Sequence, residues 1–305
     1  MTSTRQTRHI PYRLLSPARR TTSVVFASPH SGRDYPADFV RSAEIDAKAL
    51  RSSEDAFVDE LFAPAPACGA PLLAAVAPRA YVDLNRAPDE LDPALIDGIG
   101  HGGHNPRVAS GLGVIPRVVS AGRVIRQGKI SRAEAEARIT RWWRPYHRRL
   151  QALLDEAHHD FGEAILIDCH SMPHDVIGTG LPAIAGAAEG SGLVQAPRRP
   201  DVVLGDRFGA TASAEVVERI TAAFEGAGLV VAHNAPFAGA YVVRHYGRPS
   251  RGQHAVQIEI DRSLYMDERR VERRADFNAF RDLMAGVIAE VAEIGRPGAP
   301  AVAAE

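Results

Sequence analysis

Two histidines stand directly after short apolar runs: His30 follows Thr22–Ser28 (TSVVFAS) and His170 follows Ala164–Cys169 (AILIDC). Neutral imidazole is a common zinc ligand, and a catalytic zinc site usually adds a carboxylate and leaves one position open for water. The adjacent acids Glu54 and Asp55 offer that carboxylate from a helical stretch after the first run, although paired acids on a helix are more often simply solvated. The spacing is not that of a compact H-E-x-x-H motif, so the signal lies in the strand-end placement. In Gln257-Ile258-Glu259-Ile260-Asp261 the acid Glu259 alternates with apolar neighbours and faces the other side of its strand from them. A carboxylate on such a strand needs a partner, and a metal-activated water would provide one. Arg79 and the run Asp83-Leu84-Asn85-Arg86 sit at another strand end, where an Asn-Arg pair suits a substrate carboxylate through a bidentate guanidinium contact. Structural ion pairing is the plainer alternative for that run. Arg244-His245-Tyr246-Gly247-Arg248-Pro249 adds cations and a ring just upstream of the Glu259 strand.

The elements that must position these groups alternate between short apolar runs and helical patterns, the grammar of an α/β sheet. Strands are expected at 22–28, 71–76, 80–84, 164–169, 202–204, 229–232 and 255–260, with helices at about 43–62, 131–159, 212–226 and 271–293. Ser131 and Glu134 form a capping box at the start of the second helix, and Pro145 predicts a kink or break inside it. In an open α/β sheet ligands collect beyond the carboxyl ends of the strands, where His30 and His170 would converge. Residues 97–128, rich in glycine and carrying His101 and His104, read as a long functional loop. No linker divides the chain. The expected organisation is a flexible tail over 1–20, a single domain over 21–295 and a short tail over 296–305.

The chain has 305 residues, 45% hydrophobic and 24% charged, enough to bury a full core. Lys plus Arg is 36 against 37 Asp plus Glu, a balance that argues against a protein held on nucleic acid or anionic lipid by bulk charge. No apolar run approaches the roughly 18 residues needed to span a bilayer. Cys68 and Cys169 are too few for a disulfide framework, which favours a reducing, cytoplasmic setting. A monomer or small homo-oligomer acting on a small molecule is the expectation, with no nucleic acid and no membrane partner.

Taken in order, several blocks resemble the N-formylglutamate amidohydrolases. They are Ser28-Pro29-His30-Ser31-Gly32-Arg33, Asp55-x-x-x-Asp59-x-Leu61-Phe62, Asp83-Leu84-Asn85-Arg86, Asp168-Cys169-His170-Ser171, Arg244 to Pro249 and His254 to Glu259. The likeness runs over about residues 20 to 285. The Asp-Leu-Asn-Arg run is also similar to the substrate-carboxylate motif of the aspartoacylases, more distant relatives with the zinc carboxypeptidase fold. The resemblance implies a mixed, mostly parallel sheet flanked by helices in a zinc carboxypeptidase-like (phosphorylase/hydrolase-like) fold, with one Zn2+ per chain. It implies hydrolysis of the amide of an N-acylated acidic amino acid, here N-formyl-L-glutamate to formate and L-glutamate, a step of histidine degradation.

Carried over by position, His30 and His170 match metal ligands, and Asp55 matches the acidic ligand with Glu54 as its alternative. Glu259 falls where the general base stands and Arg79 where an arginine polarises the scissile carbonyl. Asn85 and Arg86 fall where a substrate carboxylate is held, with Arg244 and His245 as further substrate-binding candidates. The segments 97–118 and 172–200 depart from the pattern and are expected to line the pocket, which leaves the acyl group and amino acid open. A deacylase of another N-acyl amino acid and a peptidase or peptidoglycan amidase of the same fold are the nearest alternatives. A non-catalytic binding module is more remote, because it has no need of a base facing a metal.

Overall fold

The structure, a computed structural model, describes residues 10–100, 105–178 and 199–298. His101, His104 and most of 172–200 therefore lie outside the described residues. Seven strands form the main sheet: β1 (Tyr12–Leu15), β2 (Val24–Ser28), β3 (Leu72–Ala75), β4 (Ala164–Met172), β5 (Val202–Gly205), β6 (Val231–His233) and β7 (Gln253–Asp261). Their order is β1-β3-β2-β4-β7-β5-β6. The central strands β3, β2, β4 and β7 are parallel, while β1 runs antiparallel to β3 and β5 antiparallel to β7. The α/β class with a mixed, mostly parallel sheet is thus as expected.

Strands β2, β3 and β4 are buried along their whole length because helices cover both faces, which is why they read as unbroken apolar runs. On one face Phe26, Ile165, Ile167, Val256 and Ile258 pack against the helices Val58–Leu61, Ala214–Gly226 and Phe277–Ile294. On the other, Val25, Ala27, Leu166 and Ala255 meet the helices Arg144–Phe161 and Tyr241–Tyr246. Among the described residues no helix is long and apolar enough to cross a membrane.

Three local expectations change, and the interruption expected near Pro145 takes a particular form. Within the stretch read as a tail, Tyr12–Leu15 form β1, in register from Tyr12↔Ala75 to Leu15↔Leu72. Tyr12 and Leu14 pack on the second core, and Arg13 pairs with Asp59. A four-residue alternation inside an arginine-rich stretch carries too little pattern to announce a strand. Residues 80–84 are a buried turn rather than a strand, because the Asp83 N–H is spent on Val114 O and the Tyr81 and Val82 N–H groups turn back to Pro78.

The helix expected over 43–62 breaks into Ala47–Arg51 and Val58–Leu61, with Phe57 at φ 66 between them. Ser52 and Ser53 favour caps over helix interiors, and the freed segment lets the Asp55 N–H donate to His30 O at 3.1 Å. Glu54 and Asp55 therefore sit on a connection, not on a helix. Pro145 does not end its helix. A π turn over Ile139–Trp143 absorbs the missing N–H and the ring's clash with the preceding turn, and the helix continues to Phe161.

Candidate active site

His30 and His170 sit at the carboxyl ends of the neighbouring parallel strands β2 and β4, and their ring centroids are 4.6 Å apart. The loop after β2 passes so close over the end of β3 that a Cβ at Gly32 would lie 2.0 Å from Ala77 O, so only glycine fits there. From the opposite side Asp55 brings Oδ2 to 2.9 Å from His170 Nδ1 and 3.5 Å from His30 Nδ1. All three side chains are buried, and one donor atom from each lies within 4.8 Å of the others.

The far nitrogen of each ring is held by a second aspartate. Asp83 Oδ1 is 2.7 Å from His30 Nε2, and Asp168 Oδ2 is 3.0 Å from His170 Nε2. Each imidazole is thereby turned so that Nδ1 faces Asp55, the arrangement by which carboxylates orient metal-binding histidines and raise their basicity. His30 Nδ1 is buried with no hydrogen-bond partner. An orphaned imidazole nitrogen beside a second nitrogen and a carboxylate oxygen suits a divalent cation such as zinc.

The charges agree with that fit. Burial would raise the pKa of Asp83, but the His30 and Arg79 charges more than offset it and hold the carboxyl well below its usual range. Asp55 behaves alike, burial being overcome by its bond to His170 and the nearby imidazole of His30. For His170 burial favours the neutral ring, yet Asp168 and Asp55 raise its pKa well above the ordinary value. These groups share one need for positive charge, which a cation supplies without protonating a ligand.

Glu259 lies directly opposite His170 in the β4–β7 register. Gln257, two residues earlier on the same face, donates Nε2–H to Glu259 Oε1 at 2.7 Å. Burial, and after it the Asp55 charge, pushes the Glu259 pKa up to about 7 against the pull of His170, Arg79 and Arg262. A carboxylate tuned to neutrality is suited to take and return a proton. Arg79 donates from Nε to Asp83 Oδ2 at 3.2 Å, and its side chain is 26% exposed, so the remaining donors are open to a ligand.

The other sequence candidates divide. Glu54 points away from the histidines, binding Tyr35 Oη at 2.6 Å and Arg51 Nε at 3.1 Å. Asn85 is buried against the ligand shell, with Oδ1 accepting from Val242 N at 2.8 Å and Nδ2 3.1 Å from His170 Nε2. Arg86 is buried, donates to the carbonyls of Leu112 and Asn85, and contacts no carboxylate among the described residues. A buried guanidinium whose donors reach no carboxylate directly, with Asp83 and Glu90 acting on it only through their charge, is a site for an anionic ligand. Arg244 and His245 are exposed on the helix Tyr241–Tyr246, where His245 stacks on Tyr241 at 5.0 Å; neither bonds to the triad or to Arg86.

Sequence reading gave no role to Asp83 and Asp168 as histidine partners, to Gln257, or to Arg262, whose Nη2 donates to Asp55 Oδ1 at 2.9 Å. Asp168 carried a signal: an acid in a buried strand, two residues from His170 and on the same face. Arg262, just past the end of β7, carried none.

The family model for N-formylglutamate amidohydrolase matches residues 22–266. An N-formylglutamate deformylase of Pseudomonas aeruginosa is 33% identical over 261 residues, covering 84% of this chain and 86% of that protein. One from Pseudomonas putida is 29% identical over 252 residues, covering 80% and 82%. The crystal structure of N-formylglutamate amidohydrolase from Ralstonia eutropha JMP134 superposes with a TM-score of 0.83 at 34% identity, covering 93% of this chain and 98% of that one.

Proposed function

The chain belongs to the N-formylglutamate amidohydrolase family and is an amidohydrolase, and we propose that it hydrolyses N-formyl-L-glutamate to formate and L-glutamate at a zinc site held by His30, Asp55 and His170. The observation that carries the metal assignment is the unpartnered His30 Nδ1, aimed with His170 Nδ1 at Asp55 Oδ2 while Asp83 and Asp168 occupy both Nε2 atoms. The substrate is that named for the relatives. When bound, zinc supplies Lewis-acid polarisation of the amide carbonyl and acidifies water.

The chain's own groups do the rest. Glu259 takes a proton from the attacking water and returns it to the departing amine nitrogen, a role favoured by the burial that raises its basicity. Arg79 offers its free donors to the carbonyl oxygen as negative charge grows there. Arg86, buried with no carboxylate bonded to its donors, takes a substrate carboxylate, and Arg244 is the candidate for the second. Asn85 acts by packing against His170 rather than by reaching substrate. A single catalytic domain that runs from β1 to about residue 295, with a zinc carboxypeptidase-like fold, fits one sheet with one site at its strand ends. A cytoplasmic place in histidine degradation accords with the free thiols Cys68 and Cys169.

The test is a panel of N-acyl amino acids against zinc-loaded protein. N-formylglutamate should exceed N-formylglutamine and N-formylmethionine by at least the about tenfold that one charged contact contributes to kcat/KM. Equal turnover of the neutral side chains would instead make the enzyme a broader N-acyl amino acid deacylase.

A further inference from the structure

The helix beside the site carries two ring donors with an unusual target. Trp143 Nε1–H donates to Arg86 O at 2.9 Å, and one helical turn later His147 Nε2 lies 2.9 Å from Leu84 O. A carbonyl only accepts, so Nε2 carries the proton and Nδ1 is left to accept from Tyr246 Oη at 2.9 Å. The rings lie face to face, 4.0 Å between centroids and tilted by 32°. Together they grip the two carbonyls that flank Asn85, and so hold the segment from both ends.

Trp143 sits in a core cluster whose other members are mostly aliphatic, and His147 is buried beside it. Phenylalanine in either place would fill a similar volume with no polar atom to satisfy, so the N–H groups are there for the carbonyls. The π turn over Ile139–Trp143 sets the register that brings Trp143 and His147 onto this segment. Burial drives the His147 pKa down to about 3, so the ring stays a neutral single donor at working pH.

We infer that Trp143 and His147 are positioning residues that clamp the Leu84–Arg86 backbone and thereby set the affinity of the Arg86 guanidinium for a substrate carboxylate. The inference rests on the substrate role proposed for Arg86. Among the described residues Arg86 hydrogen-bonds through its side chain to the carbonyls of Leu112 and Asn85, so a backbone shift at 84–86 moves the guanidinium directly.

Kinetics of Trp143→Phe, His147→Phe and His147→Gln test this, each also in an Arg86→Ala background. Trp143→Phe and His147→Phe should raise KM for N-formylglutamate about tenfold, the scale of one impaired charged contact. Zinc content and kcat should change less than KM does, because Asp83 and Asp168 still hold the two histidines. The amide N–H of His147→Gln reaches toward the same carbonyl and should restore most of the affinity, which also keeps the test alive if His147→Phe fails to fold. Arg86→Ala alone should raise KM, and adding Trp143→Phe should then change nothing further, a non-additive cycle. The calorimetric Kd of L-glutamate on zinc-loaded protein should follow the same pattern. Wild-type KM in Arg86→Ala overturns the substrate role of Arg86 and the clamp with it. A raised KM in Arg86→Ala beside an unchanged KM in Trp143→Phe, or equal increments with and without Arg86, overturns the clamp alone.

Discussion

Glu259→Gln keeps the side chain's shape and removes a buried carboxylate that faces His170 in the register and accepts from Gln257. In the folded, metal-free protein burial pushes its pKa from 4.5 up to about 7, so the folded state holds this proton more tightly than the unfolded chain does. Stability therefore falls as pH rises between those values, and the full cost is present above them. The 2.5-unit difference corresponds to ~3 kcal/mol at 1.36 kcal/mol per unit. Glutamine carries no such cost. In the presence of chelator Glu259→Gln should be more stable than wild type by up to about 3 kcal/mol at pH 8 but by only about 1 kcal/mol at pH 5. Urea unfolding at the two pH values measures both gains. Zinc-loaded activity should move the other way, falling about 10²–10⁴-fold, or ~3–5 kcal/mol of barrier, with metal content unchanged. An equal stability gain at both pH values would refute the burial argument. Turnover within tenfold of wild type would remove Glu259 as the base.

Elemental analysis should find zinc in wild type and Glu54→Gln and little in His30→Ala, Asp55→Ala or His170→Ala; retention in Asp55→Ala with loss in Glu54→Gln would exchange the two acids. Asp83→Asn and Asp168→Asn should weaken zinc binding about 10- to 100-fold in chelator competition, and unchanged affinity would show that these carboxylates do not orient the imidazoles. His147 has a folded pKa of about 3 against 6.5 in the unfolded chain, so the unfolded state takes up a proton that the folded state refuses. Stability tied to His147 is thus complete above about pH 6.5 and drains by about 1.4 kcal/mol per unit as pH falls toward 3. His147→Gln should flatten that acid slope in urea titrations, and an unaltered slope would contradict the assignment of a neutral buried ring.

His30, His170 and Glu259 are legible in the sequence because their placement is local: a histidine just past or near the end of a fully buried strand, and an acid alternating with isoleucines. The four central parallel strands are legible for the same reason, whereas β1 hides in an alternation of four residues beside charged sequence. Choosing between Glu54 and Asp55 lies beyond local pattern, since neighbouring acids differ only in direction. The break before Phe57 and the Asp55 N–H bond to His30 O turn one carboxylate inward and leave the other to Arg51 and Tyr35. Asn85 likewise reads as a substrate clamp in its motif and is found packed against His170. The sequence by itself determined that His30, His170 and Glu259 gather at strand ends, because strand periodicity acts over two residues. Only the tertiary structure decided which nitrogen of each histidine faces Asp55. That choice is made by Asp83, 53 residues from His30, and by Asp168 as the sheet aims it, through hydrogen bonds that exist only once the chain has folded.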